Sequence, residues 1–96
     1  MKAVIFLVLF VATLAAGQGC VRDDSNGQPA CNAAEVAQRF WRNNWDPTAF
    51  WECETAGVDA TARRCPTEGM FDSATGTCIN WADWVWTPTC KPPSRV

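Results

Sequence analysis

The sequence predicts a small disulfide-rich domain, mainly β with one short helix, in which two antiparallel hairpins carry most of the structure. The chain has 96 residues and six cysteines. Its apolar residues change from helical spacing to strict alternation beyond Pro47, and turn-forming residues then separate short apolar segments. Because a domain this small gains only about 3–5 kcal/mol from its core, we expect the cysteines to form bridges that it needs for folding.

The first 17 residues have the layout of a secretory signal peptide. A lysine precedes an uncharged, almost wholly apolar stretch at 3–16, and the small residues Ala15 and Gly17 suit the positions that signal peptidase recognises. The stretch is shorter than the about 20 residues of a membrane span. We therefore predict secretion after cleavage at Gly17, with Ala16 as the alternative, and a single mature domain at 18–96 of about 79 residues.

The charge of the mature chain argues against two classes of partner. Removal of Lys2 with the signal leaves seven basic and ten acidic residues, so the net charge moves from −2 to −3. The basic residues are scattered, and Arg63-Arg64 is the only doublet. Nucleic acids and anionic membranes select clustered positive charge. The sequence therefore predicts neither nucleic acid nor membrane as a partner.

All six cysteines lie beyond the predicted signal. An even number of cysteines in a short secreted chain is typical of a disulfide framework, here of three bridges. The chain contains no C-x-x-C pair and no histidine, so we expect no metal site and no cofactor. The positions are Cys20, Cys31, Cys53, Cys65, Cys78 and Cys90.

The mature chain begins with a polar loop and then one helix. Asp24 to Gly27 is a turn signal within this loop. Asn32 supplies a helix cap, and Glu35 follows three residues later as in a capping box. Apolar residues then recur at helical spacing, which predicts a helix over about Ala33 to Asn43. These residues are Ala33, Val36, Ala37, Phe40 and Trp41.

Two hairpins follow the helix. Residues 50–54 alternate between apolar and polar, and 60–65 can return antiparallel to them. Met70-Phe71 and residues 77–79 are apolar segments on either side of a polar tip, and predict a second, smaller hairpin. Residues 91–96 are expected to be an extended, frayed terminus.

The absence of histidine removes most catalytic mechanisms. Without it, the usual general base at neutral pH and the Ser-His and Cys-His pairs are missing. A glycosidase needs only two carboxylates, but it must hold them across a cleft with one pKa raised by burial. A domain of one helix and two hairpins can hardly enclose such a cleft, so we do not expect an enzyme.

Tryptophan is unusually frequent, with six residues and no tyrosine. Small cores use large aromatic residues, so Phe40, Trp41 and one of Phe50-Trp51 are expected inside. The cluster at Trp81, Trp84 and Trp86 exceeds what two hairpins can bury, and at least one or two indoles should be exposed. In an extended segment Trp84 and Trp86 point to the same face.

An exposed aromatic plane suits a sugar ligand. The axial C–H groups of a β-linked pyranose form a flat apolar patch that stacks on such a plane, while its hydroxyl and acetamido groups need polar partners. Short polar side chains follow Phe71 closely, and each of them also fits an ordinary role in a turn. They are Asp72, Ser73, Thr75, Thr77 and Asn80.

The residues around the cysteines resemble the peritrophin-type chitin-binding domain of invertebrates. Phe50-Trp51-Glu52-Cys53, Arg64-Cys65-Pro66, Gly69-Met70-Phe71-Asp72 and Gly76-Thr77-Cys78, with the closing Cys90, are similar to its motifs over the whole mature chain. The gaps between successive cysteines are 10, 21, 11, 12 and 11 residues. The distant second cysteine resembles the type C peritrophins, small single-domain proteins of the insect gut lining.

The resemblance implies a hevein-like arrangement of a larger sheet and a small hairpin, with the bridges Cys20–Cys53, Cys31–Cys90 and Cys65–Cys78. It also implies chitin, or N-acetylglucosamine oligomers, as the ligand. Its sugar-binding region maps onto Phe71 and Asp72, although Phe71 could equally fill the core of the hairpin. Our interpretation of the indole cluster adds further ligand-binding residues, which are Asn80, Trp81, Trp84 and Trp86.

The predicted function is that of a secreted, monomeric chitin-binding structural protein of an extracellular matrix such as the peritrophic matrix. Two alternatives remain open from the sequence. One is a secreted defence peptide that binds fungal chitin, which the acidic charge disfavours. The other is a protein-binding module, such as a protease inhibitor or venom component, with tryptophan anchors.

Overall fold

The computed structural model describes residues 20–96. The predicted signal peptide at 1–17 lies outside the described residues. The described chain has one helix, five strands and two short 3₁₀ turns, which confirms the predicted fold class of a small, mainly β domain. The elements are α1 (Ala33–Gln38), β1 (Phe40–Arg42), β2 (Ala49–Glu52), β3 (Thr61–Arg64), β4 (Gly69–Asp72) and β5 (Thr77–Asn80), with 3₁₀ turns at Trp81–Asp83 and Pro93–Arg95.

The strands form two antiparallel sheets. The larger has the order β1-β2-β3 and the smaller pairs β4 with β5. Trp51 at the middle of β2 lies opposite Trp41 on one side and Ala62 on the other, and Phe71 lies opposite Cys78. Both predicted hairpins are confirmed, and β1 is an additional strand that the sequence did not predict.

The helix is shorter than predicted. Its capping box is present, since the Asn32 side chain accepts a hydrogen bond from the Glu35 backbone N–H and the Glu35 carboxylate accepts one from Asn32. The prediction that it extends to Asn43 is wrong. The chain leaves the helix at Arg39, whose φ of 72° lies in the left-handed region, because Phe40–Arg42 pairs with β2 instead.

The disulfide pairing corrects two of the three expected bridges. Cys65–Cys78 closes the small hairpin as predicted. Cys20–Cys53 and Cys31–Cys90 are wrong: Cys20 is bonded to Cys90, with Cα atoms 5.6 Å apart, and Cys31 to Cys53, 5.5 Å apart. The reason is that the segment after Cys20 runs antiparallel to the end of the chain, where Arg22 forms a β-bridge with Cys90.

The core has two parts. Cys31, Trp51, Cys53 and Ala60 form a buried cluster behind the larger sheet. A row of three phenylalanines joins the two sheets, since Phe50 packs edge-on against Phe40 with ring centroids 5.6 Å apart and stacks on Phe71 at 5.3 Å. The row fixes the small hairpin against β1 and β2 and so determines where its side chains lie.

Two arginines form ion pairs with a buried glutamate of the larger sheet. Glu52 is buried and its carboxylate accepts hydrogen bonds from Nε of Arg39 at 2.6 Å and Nε of Arg63 at 2.9 Å. Hydrogen bonds from Arg63 and then Arg39 keep the pKa of Glu52 below its ordinary value, despite burial. The carboxylate is therefore satisfied and ionised where an unpaired buried charge would destabilise the fold.

The end of the chain is docked, so the prediction of a frayed terminus is wrong. The buried carboxylate of Glu35 accepts hydrogen bonds from the Ser94 backbone N–H at 3.1 Å and its hydroxyl at 2.9 Å. Arg95 donates from Nε to the Gln28 carbonyl. No helix among residues 20–96 is long and apolar enough to cross a bilayer.

Candidate ligand-binding cleft

Three tryptophans from two separate parts of the chain meet at one cleft. Trp45 comes from the turn between β1 and β2, while Trp84 and Trp86 follow the first 3₁₀ turn. The cleft has a volume of about 180 Å³. Besides the indoles, it is lined by Arg42, Asn43, Asn44, Pro47 and Phe71.

The turn that carries Trp45 is held by its own polar side chains. The Asn43 side-chain oxygen accepts hydrogen bonds from the backbone N–H groups of Trp45 and Asp46, both at 3.0 Å. Asp46 in turn accepts from the Thr48 hydroxyl and N–H, and these two bonds are the main reason that the pKa of Asp46 lies below its ordinary value. These Asx-type bonds hold Trp45 in place although it is 70% exposed.

The opposite wall is attached to the small hairpin. The Trp84 indole N–H donates to the Phe71 carbonyl at 2.9 Å, and the side chain is half-buried. Trp86, two residues on, is 63% exposed. Its segment is fixed further along, because Nη1 of Arg42 donates to the Thr87 hydroxyl at 2.8 Å and to the Pro88 carbonyl at 3.4 Å. Trp84 thus supports the wall and Trp86 presents a free face.

Polar groups lie beside the indoles. The Asn44 side-chain N–H donates to Asp23 at 2.7 Å. Burial raises the pKa of Asp23, but hydrogen bonds from Ser25 and Asn44 and the charge of Lys91 outweigh it, so the pKa lies below the ordinary value. This arrangement fixes the Asn44 amide at the cleft, where its carbonyl oxygen and remaining N–H can bind a ligand.

A second cleft adjoins the first. It has a volume of about 240 Å³ and shares Arg42, Asn44 and Phe71 with the tryptophan-lined cleft. Its further lining is mostly apolar. The side chains that matter for its chemistry are Gln38, Phe40, Trp41, Ser73, Pro88, Lys91 and Pro92. Burial lowers the pKa of Arg42 at the junction, yet arginine remains a cation in proteins.

The structure brings three of the six predicted ligand-binding residues together. Phe71, Trp84 and Trp86 line the first cleft. Phe71 is only 3% exposed and lies under Phe50, so it supports the site from below and offers almost no face to a ligand. The expected exposure of at least one or two indoles is confirmed, since Trp45, Trp81 and Trp86 are all exposed.

The other three predicted residues lie elsewhere. Asp72 accepts hydrogen bonds from the Thr75 hydroxyl and the Ala74 N–H within the hairpin tip. Asn80 caps the 3₁₀ turn by accepting from the Ala82 N–H. Trp81 is 60% exposed but lines neither cleft. The first two therefore make the turn contacts that the sequence left open as an alternative.

The turn that supplies Trp45, Asn43 and Asn44 was not predicted from the sequence. The predicted helix ended at about Asn43, and no role was assigned to Trp45. A signal was present, because a large indole among asparagine, aspartate and proline cannot be placed in a core and must lie at the surface. Which residues face Trp45 across the cleft, however, depends on the path of the C-terminal segment that carries Trp84 and Trp86.

No family model, curated protein or solved structure matches the chain. The resemblance to peritrophin-type domains therefore depends on the motifs around the cysteines alone. The bridges found here also differ from the pairing which that resemblance implied. The chemistry of the two clefts is therefore what indicates a function.

Proposed function

We propose that this protein is a secreted, non-enzymatic, monomeric domain that binds chitin in an invertebrate extracellular matrix such as the peritrophic matrix. The observation that carries the proposal is the convergence of Trp45, Trp84 and Trp86 on one cleft. Three disulfides in a small domain suit the oxidising compartment to which secretion leads. The peritrophin-like motifs around the cysteines support the same ligand.

The chemistry of the cleft suits a neutral sugar polymer. Trp45 and Trp86 offer exposed aromatic faces on which the flat C–H surface of a pyranose can stack. Asn43 and Asn44 lie next to these faces and provide amide groups for hydroxyl and acetamido partners. The supporting hydrogen bonds of Asn43, Asp46 and Trp84 hold this surface before the ligand arrives, which lowers the entropy cost of binding.

Binding at one site limits the biological role that we propose. A domain with one chitin-binding site can coat a fibre or cap its end. Crosslinking of fibres requires linked sites, which a monomer of this kind does not provide. We therefore propose a coating protein of the matrix.

Three tryptophan variants test the proposal. Trp45→Ala and Trp86→Ala should each weaken binding of the oxidised protein to chitin by about 1–3 kcal/mol, on the scale of stacking on aromatic side chains, or roughly ten- to hundredfold. Trp81→Ala is the matched control, because Trp81 is equally exposed but lies outside both clefts. Chitin and cellulose beads measure retention, and thermal melts verify folding.

Trp84→Ala should behave differently from these variants. It removes a half-buried indole and its hydrogen bond to Phe71, so stability should fall together with binding. Failure of the folded wild-type protein to bind chitin would refute the proposal and favour a protein-binding module. If Trp81→Ala weakens binding as much as Trp86→Ala, the cleft is not the site.

A further inference from the structure

The two clefts adjoin at Arg42, and neither is large by itself. Their volumes of about 180 and 240 Å³ are each below the roughly 300 Å³ at which ordinary ligand pockets begin. They share the three lining residues Arg42, Asn44 and Phe71. A ligand that stacks on Trp86 and extends past Arg42 would occupy both clefts, so together they can act as one groove for several sugar units.

The charge along this groove is opposite to that of the whole chain. The chain has ten acidic and eight basic residues, yet of the described residues that line the two clefts none is Asp or Glu. Their charged members are Arg42 and Lys91. The carboxylate of Asp23 is hydrogen-bonded to the lining residue Asn44. It is buried and also accepts a hydrogen bond from Ser25.

Arg42 is fixed at the junction and retains unused donors. Within residues 20–96 its side chain makes hydrogen bonds through Nη1 alone, to Thr87 and Pro88. The guanidinium has five N–H groups and no acceptor. It can therefore bind a carbonyl oxygen, such as that of an acetamido group, whereas an ammonium group offers it only donors and a like charge.

These observations rest on the proposed function and extend it to ligand selectivity. We propose that the two clefts form one groove for an N-acetylated oligosaccharide, and that Arg42 and Lys91 make the groove reject units whose amino group is free and protonated. Arg42 and Lys91 are then specificity-determining residues. Stacking on the tryptophans supplies affinity for either polymer, and the two cations discriminate between them.

The test compares binding of N-acetylglucosamine and glucosamine hexamers by calorimetry at about pH 5, where aliphatic amines are protonated. Wild-type protein should prefer the acetylated hexamer. Arg42→Gln should reduce that preference about tenfold, equivalent to 1.4 kcal/mol, mainly by improving binding of the glucosamine hexamer. Lys91→Gln should reduce it less, since Lys91 lines only the second cleft.

The controls separate charge in the groove from charge in general. Arg22→Gln removes the same charge outside both clefts, from a side chain that is 85% exposed and lies 3.6 Å from Asp24, and should leave the preference unchanged. If Arg42→Gln fails to fold, Lys91→Gln still tests the selectivity. The Lys91 side chain makes no hydrogen bond within the described residues, and only its backbone N–H does, to the Val21 carbonyl, so the substitution should not disturb folding.

Each outcome has a distinct meaning. An unchanged preference in both folded groove variants, or no preference in wild-type protein, would overturn the selectivity while leaving chitin binding intact. An acetylated dimer that binds as tightly as the hexamer would overturn the single extended groove. Absence of any binding to the acetylated hexamer by the folded wild-type protein would instead refute the proposed function itself.

Discussion

Removal of the Cys20–Cys90 bridge should cost more stability than removal of Cys65–Cys78. The two bridges span 70 and 13 residues, for which loop entropy gives about 4.4 and about 2.9 kcal/mol. Because the other two bridges already shorten the larger loop, its value falls to about 4 kcal/mol and the difference to about 1 kcal/mol. Cys20 and Cys90 are both exposed, and their replacement by alanine leaves no cavity that would add to this value.

Urea unfolding of the two double alanine variants measures the effect. With a slope of about 1 kcal/mol per molar urea, the loss of Cys20–Cys90 should lower the midpoint by about 4 M. A smaller loss for Cys20→Ala/Cys90→Ala than for Cys65→Ala/Cys78→Ala would refute the reasoning. Peptide mapping of the oxidised wild-type protein tests the pairing directly, because a fragment that links Cys31 to Cys90 would contradict the structure.

Two further substitutions have defined outcomes. The pKa of Glu52 lies below its ordinary value of 4.5 because of the two arginines that flank it. The ionised carboxylate therefore stabilises the fold at neutral pH, and this stabilisation is lost as the pH falls below that value. Glu52→Gln should reduce the loss of unfolding free energy between about pH 7 and pH 3, and an unchanged loss would contradict this. Gly27→Ala places a Cβ 2.7 Å from the Asn44 side-chain nitrogen at a φ of 82°, whereas Gly57→Ala has a similar φ of 83° with nothing within 4 Å. Both variants should lose about 1–2 kcal/mol of folding stability in thermal melts, because alanine disfavours the left-handed backbone. Only Gly27→Ala should also bind chitin more weakly. Equal binding by the two variants would show that chitin binding does not need Asn44.

The sequence predicted those parts of the fold that depend on local chemistry. The capping box at Asn32 and Glu35 and the two hairpins follow from residues that are close together in the chain. The end of the helix does not, because Phe40 and Trp41 fit both a helical and a strand pattern. Pairing with Phe50–Glu52 decides between them, and that contact is not local.

The candidate site could be predicted only in part for the same reason. Trp84 and Trp86 are close in sequence, and their common position at the cleft agrees with the alternation of an extended segment. Trp45 joins them because the C-terminal segment returns to β1, where Arg42 holds it. The course of that segment depends on which cysteines pair, and six cysteines allow 15 pairings that sequence does not distinguish.

The bridge between Cys20 and Cys90 also determines how the domain would carry load. It joins the two flanks of the fold at a Cα distance of 5.6 Å. Tension that enters before Cys20 and leaves after Cys90 would pass through a covalent bond and bypass both sheets and the tryptophan-lined cleft. A pull on the two ends of the domain would therefore leave the shape of the cleft unchanged.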